Sequence, residues 1–401
     1  MQRIFLLILF LVSLFSCGIE EIGGDSDKAG GSKWGGMTGS HSGSISEKSI
    51  CYMTALDYQK GYDWRADSEH GTVRCSLVVY ADGRPIMKVP VGDSYETGAD
   101  VDIHRIIQGH LYTDYSTDSE TVIKKDGTQL FRYSCSESIL GMELKGENLY
   151  TLGQSRDGGG FALRKDGYVL LHRDAAHVIG KLRNDSDSLC FAFYEQIEDG
   201  NEQLNRYYSY VGGRVSQVAV REDIKMVWDL FVDQDEVIYV ASLVGSDAPI
   251  LFKGESMRKI PLKQNFTLIS CRIFKIGEYV GVEGVCRLNT GGHHNVIWLD
   301  AKEYYAKSSE NPVAALEADG DGVFYAINPS SGENGIIHRA GEQYQMPSEY
   351  RVMSEDCMCV IDGILHVGLS STQGTSPLVW KDGVLDTLNI NGYISAMYSG
   401  I

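Results

Sequence analysis

The sequence predicts an all-β chain folded as a β-propeller of eight four-stranded blades. Three observations carry that prediction. A bulky apolar pair running into a short polar tag near glycine recurs eight times, the tags fall roughly every 40 to 46 residues, and helical periodicity is nearly absent.

The clearest copies read Val78-Val79-Tyr80-Ala81-Asp82-Gly83, Val122-Ile123-Lys124-Lys125-Asp126-Gly127, Ala162-Leu163-Arg164-Lys165-Asp166-Gly167 and Leu378-Val379-Trp380-Lys381-Asp382-Gly383. Weaker ones are centred on Tyr210, Phe252, Trp298 and His338. One copy can be read strand by strand. Ile103–Ile107 is a first strand, Gln108-Gly109 turns it into His110–Tyr115, a polar loop leads to Thr121–Lys124, and Asp126-Gly127 returns the chain as Gln129–Tyr133. The second strand has an echo of its own in Leu111-Tyr112, Leu149-Tyr150, Ile238-Tyr239, Phe324-Tyr325 and Leu365-His366.

The two ends fit together. Residues 49–91 supply three strands and lack a first one, while Tyr393–Tyr398 has no blade of its own. Pairing the tail with the start closes the ring and removes its long exposed edges. Seven blades is the alternative, if the degenerate fourth copy (Ala175 to Val220) is irregular.

Composition agrees with this architecture. Forty-five glycines against eight prolines suit many tight hairpins, and 23 tyrosines against 12 phenylalanines suit half-buried strand faces. A net charge of −18 with no Lys/Arg run argues against nucleic-acid binding, which needs a basic surface.

Residues 1–16 read as a signal peptide: Met1-Gln2-Arg3 is positive, and Ile4 to Leu14 is apolar but too short to span a bilayer permanently. Residues 17–49 begin at Cys17 and are rich in glycine and serine, which predicts a flexible tether ahead of a propeller domain over 50–401. The quartet Leu14-Phe15-Ser16-Cys17 resembles a bacterial lipobox. With the acidic Gly18-Ile19-Glu20-Glu21-Ile22 behind it, the N-terminus is similar to that of Bacteroidetes cell-envelope lipoproteins. Phe15 departs from the small residue usual in enterobacterial lipoboxes. The resemblance implies acylation (palmitate among the chains) at Cys17 and anchoring to the outer membrane, facing the periplasm or the cell surface.

Eight cysteines remain beyond Cys17. Cys271 with Cys286, and Cys51 with Cys75, are placed to face each other across hairpins. Cys357 and Cys359 read as one face of one strand. Unbridged, buried thiols are the expected state, and no CxxC pair points to zinc.

The long connections define the candidate binding face: Tyr58 to Gly71, Arg156 to Gly160, Glu198 to Gln203, Asn289 to His294 and Ser370 to Thr375. Tyr58, Tyr62, Trp64 and Arg65 with Tyr95 in the neighbouring loop offer flat rings and polar partners of the kind that sugar rings use. The alternative role for the rings is to cap the loop's own small core. His293-His294 reads as a surface pair, Asp319-Gly320-Asp321-Gly322 as a turn, and no metal or cofactor is expected. For catalysis the inner strands offer His104, Glu143, Lys181, Asp229, Arg272, Glu355 and Asp356, with no GxSxG, HExxH, P-loop or Rossmann motif. The reading favours a membrane-anchored binding or scaffold module, engaging a glycan or another envelope protein. An envelope glycosidase or lyase at the channel mouth is the alternative.

Overall fold

A computed structural model describes residues 50–400, less 60–74, 92–103, 186, 200–201, 219–223, 234–235, 246–247, 255, 263–265, 289–292, 310, 321, 331–333 and 340. Every described strand belongs to one of eight antiparallel sheets. Each sheet forms one blade with four strand positions, labelled a to d from the inside out; they follow sequence order except in blade 1, and in blade 8 position a is split into two short strands. The a strands of successive blades are neighbours all the way round, and that of blade 8 returns to that of blade 1. The expected eight-bladed ring is therefore the observed one.

Blade 1 is assembled from both ends of the chain. Its a strand is Gly392–Gly400, paired with Ile50–Tyr58; that strand pairs with Cys75–Ala81, which pairs in turn with Arg84–Val91. The seam runs in register from Ile50 opposite Gly400 to Asp57 opposite Gly392, with one irregularity at Thr54/Ala55. Thr54 and Ser395 hydroxyls meet across it at 3.0 Å. Blades 2 to 8 follow as 104–133, 137–173, 176–217, 224–259, 266–309, 313–345 and 350–387. The fourth copy is a full blade, which decides eight over seven. Its tag keeps the turn although it loses the aspartate: Gly212 and Gly213 both have positive φ (+54° and +97°).

The Asp-Gly tags form the c–d hairpins, and both residues take the left-handed conformation that a two-residue type I′ turn requires, as in Asp82 (φ +46°) with Gly83 (+76°). The aspartate has a second task. Its amide N–H donates to a carbonyl at the start of strand b, and its carboxylate accepts the N–H of the same residue. Asp126 clasps Leu111 in this way (2.8 and 2.9 Å), Asp166 clasps Leu149 (2.8 and 2.9 Å), Asp300 clasps Val280 (2.9 and 3.1 Å) and Asp382 clasps Leu365 (3.3 and 3.2 Å). In blade 1 the clasped residue is Cys51 (2.9 and 3.1 Å to Asp82). The repeat thus supplies its own partners for backbone groups that would otherwise end a strand unsatisfied.

The a–b and c–d turns lie on one face of the ring. The b–c and d–a connections leave the strands on the other. Apolar side chains from facing sheets fill the spaces between blades. Between blades 3 and 4 the filling is aromatic, with Phe161 edge-on to Phe191 (5.5 Å) and Phe191 stacked on Tyr210 (5.1 Å). Contacts of this kind each add roughly 0.5–1.5 kcal/mol beyond area burial. Among the described residues no helix is long and apolar enough to cross a membrane.

Blade 8 departs from the pattern. Its a strand is broken into Tyr350–Arg351 and Met358–Ile361, and a short 3-10 turn, Glu355–Cys357, bulges between them. This corrects the expectation that Cys357 and Cys359 share a strand face. Cys357 ends the turn and its thiol donates to the Ile394 carbonyl (3.3 Å), whereas Cys359 sits on the strand opposite His366. Cys51 and Cys75 are also not partners. They lie at opposite ends of one hairpin, Cys75 facing Tyr58 and Cys51 lying beside the Asp82 turn. Cys271 and Cys286 are on adjacent strands but out of register, facing Gly284 and Leu268 respectively. None of the eight described cysteines is in a disulfide.

Candidate functional site in the central channel

The bulge in blade 8 decides what the channel is. Polar residues at 354–356 cannot continue a buried strand, so the chain leaves the sheet and carries Glu355 and Asp356 into the channel. There Glu355 meets Lys181 at 2.5 Å and Arg272 at 3.2 Å, and Asp356 lies 3.5 Å from Lys181. Lys181 belongs to blade 4, diametrically opposite blade 8, and Arg272 to blade 6. One carboxylate therefore bridges the full width of the ring.

Arg272 is the hub. It donates through Nε and one terminal nitrogen to Glu283 (3.0 and 2.8 Å) and through the other to Glu355. Around this group, Arg105 of blade 2 holds Glu143 of blade 3, and Arg183 of blade 4 lies 3.8 Å from Asp229 of blade 5. Asp229 also accepts the backbone N–H of Ile273 in blade 6 (2.8 Å), so one side chain ties three blades together.

Burial sets the electrostatics. Desolvation raises the carboxyl pKa of Asp229 against the pull of Arg183, and that of Glu283 against the pull of Arg272. Burial lowers the affinity of Lys181 for its proton, but Glu355 and Asp356 outweigh it and the net shift is upward. Glu355 shows the mirror effect: burial works against its charge, and the Lys181 and Arg272 cations more than compensate, leaving it below the usual carboxylate range. Lys181 and Glu355 each keep about half of their side-chain surface in contact with water (52% and 45%). Their pairing is accordingly worth only ~0.2–1 kcal/mol and acts mainly to fix the bulge.

Glu317, on the a strand of blade 7, differs from its neighbours. Burial pushes its carboxyl up to about 7, Arg272 opposes this, and Asp356, Glu355 and Asp319 add repulsion. The native state therefore holds a proton on Glu317 that the unfolded chain, with a pKa near 4.5, releases first. Stability is greatest below the unfolded value and falls as pH rises towards 7, by about 1.4 kcal/mol per pH unit at the steepest. Glu317→Gln is expected to be more stable than wild type at about pH 8 and equal to it near pH 4.5. Urea midpoints measured at the two pH values check this, and parallel pH profiles for both proteins would reject it.

Of the inner-strand residues named from sequence, Lys181, Arg272, Glu355 and Asp356 meet in one cluster, with Glu143 and Asp229 in flanking pairs. The side chain of His104 lies outside the described residues. Sequence reasoning did not pick out Glu283 and Glu317. Glu283 faces Arg272 across two paired strands and Glu317 lies on an a strand, but so many acidic strand positions exist that alternation alone could not select them.

On the loop face, Tyr58 closes strand b of blade 1 at the ring seam. Its ring lies 6.4 Å from that of Tyr393, tilted by 35°, and its N–H donates to the Asn391 carbonyl (2.8 Å). Tyr62, Trp64, Arg65, Tyr95 and Cys17 lie outside the described residues. His293 and His294 are successive residues of one strand, so they point to opposite faces. His294 is buried against Phe266 (4.7 Å between rings). Asp319 and Gly322 pair across a hairpin, as a turn should.

Elsewhere the fold does assemble a group with metal-ligand chemistry. Cys51, Cys359 and His366 each place one ligand atom within 4.8 Å of the others, and all three are buried. Positions 51, 359 and 366 have no spacing from which such a group could be read.

No protein-family model matches the chain, and no curated protein sequence does. Solved structures resemble it at low identity. A puromycin-hydrolyzing peptidase of Mycobacterium tuberculosis aligns with 72% of this chain at 7% identity and a TM-score of 0.49, and this chain spans 53% of the peptidase. The dihydro-heme d1 dehydrogenase NirN aligns with 86% of this chain and 74% of its own length, at 10% identity and a TM-score of 0.49. The β-propeller domain of the Trilobed protease from Pyrococcus furiosus aligns over 73% of this chain and 93% of its own, at 10% identity and a TM-score of 0.44. At these scores nothing of their activities passes to this chain. Its fold rests on its own strand order, and a β-propeller is an architecture suited to binding or scaffolding.

Proposed function

We propose that this chain is a lipid-anchored binding module of the bacterial cell envelope, tethered to the outer membrane through Cys17 and presenting its loop face to a glycan. The observation that carries the reading is where the ring begins. Ile50 pairs with Gly400 at the tight-turn end of the seam, so the tether over 17–49 joins the body on the face opposite the long loops. A flexible coil of that length spans roughly 30 Å on average, enough to hold the body off a bilayer with the loops facing away from it.

In the channel the arginines and lysine sit against carboxylates, and Glu355 crosses it. Ligand recognition then falls to the loops, where Tyr58, Tyr62, Trp64, Arg65 and Tyr95 supply stacking faces and hydrogen-bond partners. A Tyr62→Ala, Trp64→Ala double variant is expected to lose at least tenfold in signal on a glycan array. A signal equal to wild type removes the glycan assignment and leaves another envelope protein as the partner.

The alternative is a glycosidase or lyase at the channel mouth. It is favoured by one observation, the desolvated Glu317 whose proton is held to about pH 7 beside Glu355 and Asp356.

A further inference from the structure

The geometry points to a buried site for a thiophilic d10 cation, Zn²⁺ or Cu⁺, formed by Cys51, Cys359 and His366 at the seam between blades 1 and 8. The three ligand atoms lie within 4.8 Å of one another, and the side chains are 8%, 7% and 6% exposed. Two sulfurs and one imidazole are the donors such ions prefer, and three protein ligands leave a fourth position for water or another group.

The repeat itself argues that these residues are not ordinary filler. The Asp clasp fixes the alignment between blades, so Cys51 occupies the position of Leu111, Leu149 and Leu365. His366 occupies that of Tyr112 and Tyr150, the aromatic member of the recurring pair. Cys51 in blade 1 and His366 in blade 8 both depart from the repeat, and the two side chains lie close together. Cys359 completes the group as the cross-strand partner of His366.

The surroundings suit a metal. The His366 Nδ1–H donates to the Ile364 carbonyl at 3.1 Å, which fixes the tautomer and leaves the lone pair on Nε2. The Cys51 backbone is held on both sides by Asp82. The Cys51 and Cys359 thiols are in hydrogen-bond contact, and that contact together with burial raises the Cys359 thiol far above its usual range.

The test uses the full chain, reduced and stripped with a chelator, with Co²⁺ as the spectroscopic probe. One equivalent of Co²⁺ should give a sulfur-to-cobalt charge-transfer band, which one equivalent of Zn²⁺, or Cu⁺ under anaerobic conditions, then abolishes. Whichever of the two competes at the lower concentration identifies the ion. Cys51→Ser and Cys359→Ser should lose the band, while Cys357→Ser, a buried thiol outside the group, should keep it. His366→Tyr restores the residue the repeat uses elsewhere and should fold while binding at least tenfold more weakly. Its response decides the matter if a serine variant fails to fold. No band in the reduced wild type, or a band that survives in the variants, overturns the proposal. So does peptide mapping that finds Cys51 and Cys359 joined in a disulfide as the main form in protein purified without reductant.

Discussion

Arg164→Met is expected to destabilise the protein by about 3–5 kcal/mol, because it leaves Glu137 buried and unpaired. The two side chains are only 7% and 6% exposed and meet as parallel forks, at 2.5 Å from Nη1 to Oε2 and 2.8 Å from Nη2 to Oε1. The guanidinium also lies over the Tyr133 ring of blade 2 at 4.1 Å, so the pair holds two blades together. The space has been fitted to the ions: a Cβ on Gly153 would lie 2.2 Å from the Glu137 carboxylate. Most of the loss belongs to the stranded charge and not to the missing attraction. Replacing both partners, as in Glu137→Leu with Arg164→Met, should therefore recover much of the stability. Denaturant midpoints for the single and double variants measure the difference, and a double variant no better than Arg164→Met would show that the pair itself is strongly favourable.

Deleting residues 392–401 is expected to abolish the native fold. The deletion removes the a strand of blade 1, leaves the edge of Ile50–Tyr58 unpaired and opens the core between blades 8 and 1. A graded version separates packing from pairing. Ile394 is fully buried, and its branched side chain fills the space over Gly368, where a Cβ would come within 2.6 Å of it. Ile394→Ala is expected to cost about 2–5 kcal/mol with the ring still closed. Circular dichroism and urea titration should show a cooperative transition for Ile394→Ala and none for the truncated chain. A truncated chain that unfolds with wild-type cooperativity would mean that the ring does not depend on its seam.

Most of the fold could be read from the chain because the repeat states its own rules. Asp-Gly demands a type I′ turn, alternation follows on each side, and the unmatched Tyr393–Tyr398 has only one place to go. The clasp made by the same aspartates was not legible, since a turn residue and a capping residue look identical in sequence. Nor was the break in blade 8, although Ser354-Glu355-Asp356 interrupts an otherwise apolar strand and could have been read as a bulge. The channel cluster depends on which of many acidic residues meet across a ring, and that is a matter of blade order. The group at Cys51 was the least accessible. It joins residues some 300 positions apart, through a closure that brings the beginning of the chain to its end.

The seam also dictates a temporal order. Ile50–Tyr58 is made well before its partner Gly392–Gly400, so a nascent chain carries an uncovered strand edge until that partner emerges. Until Gly392–Gly400 has emerged the ring stays open, and the growing polypeptide can pair with a neighbouring copy.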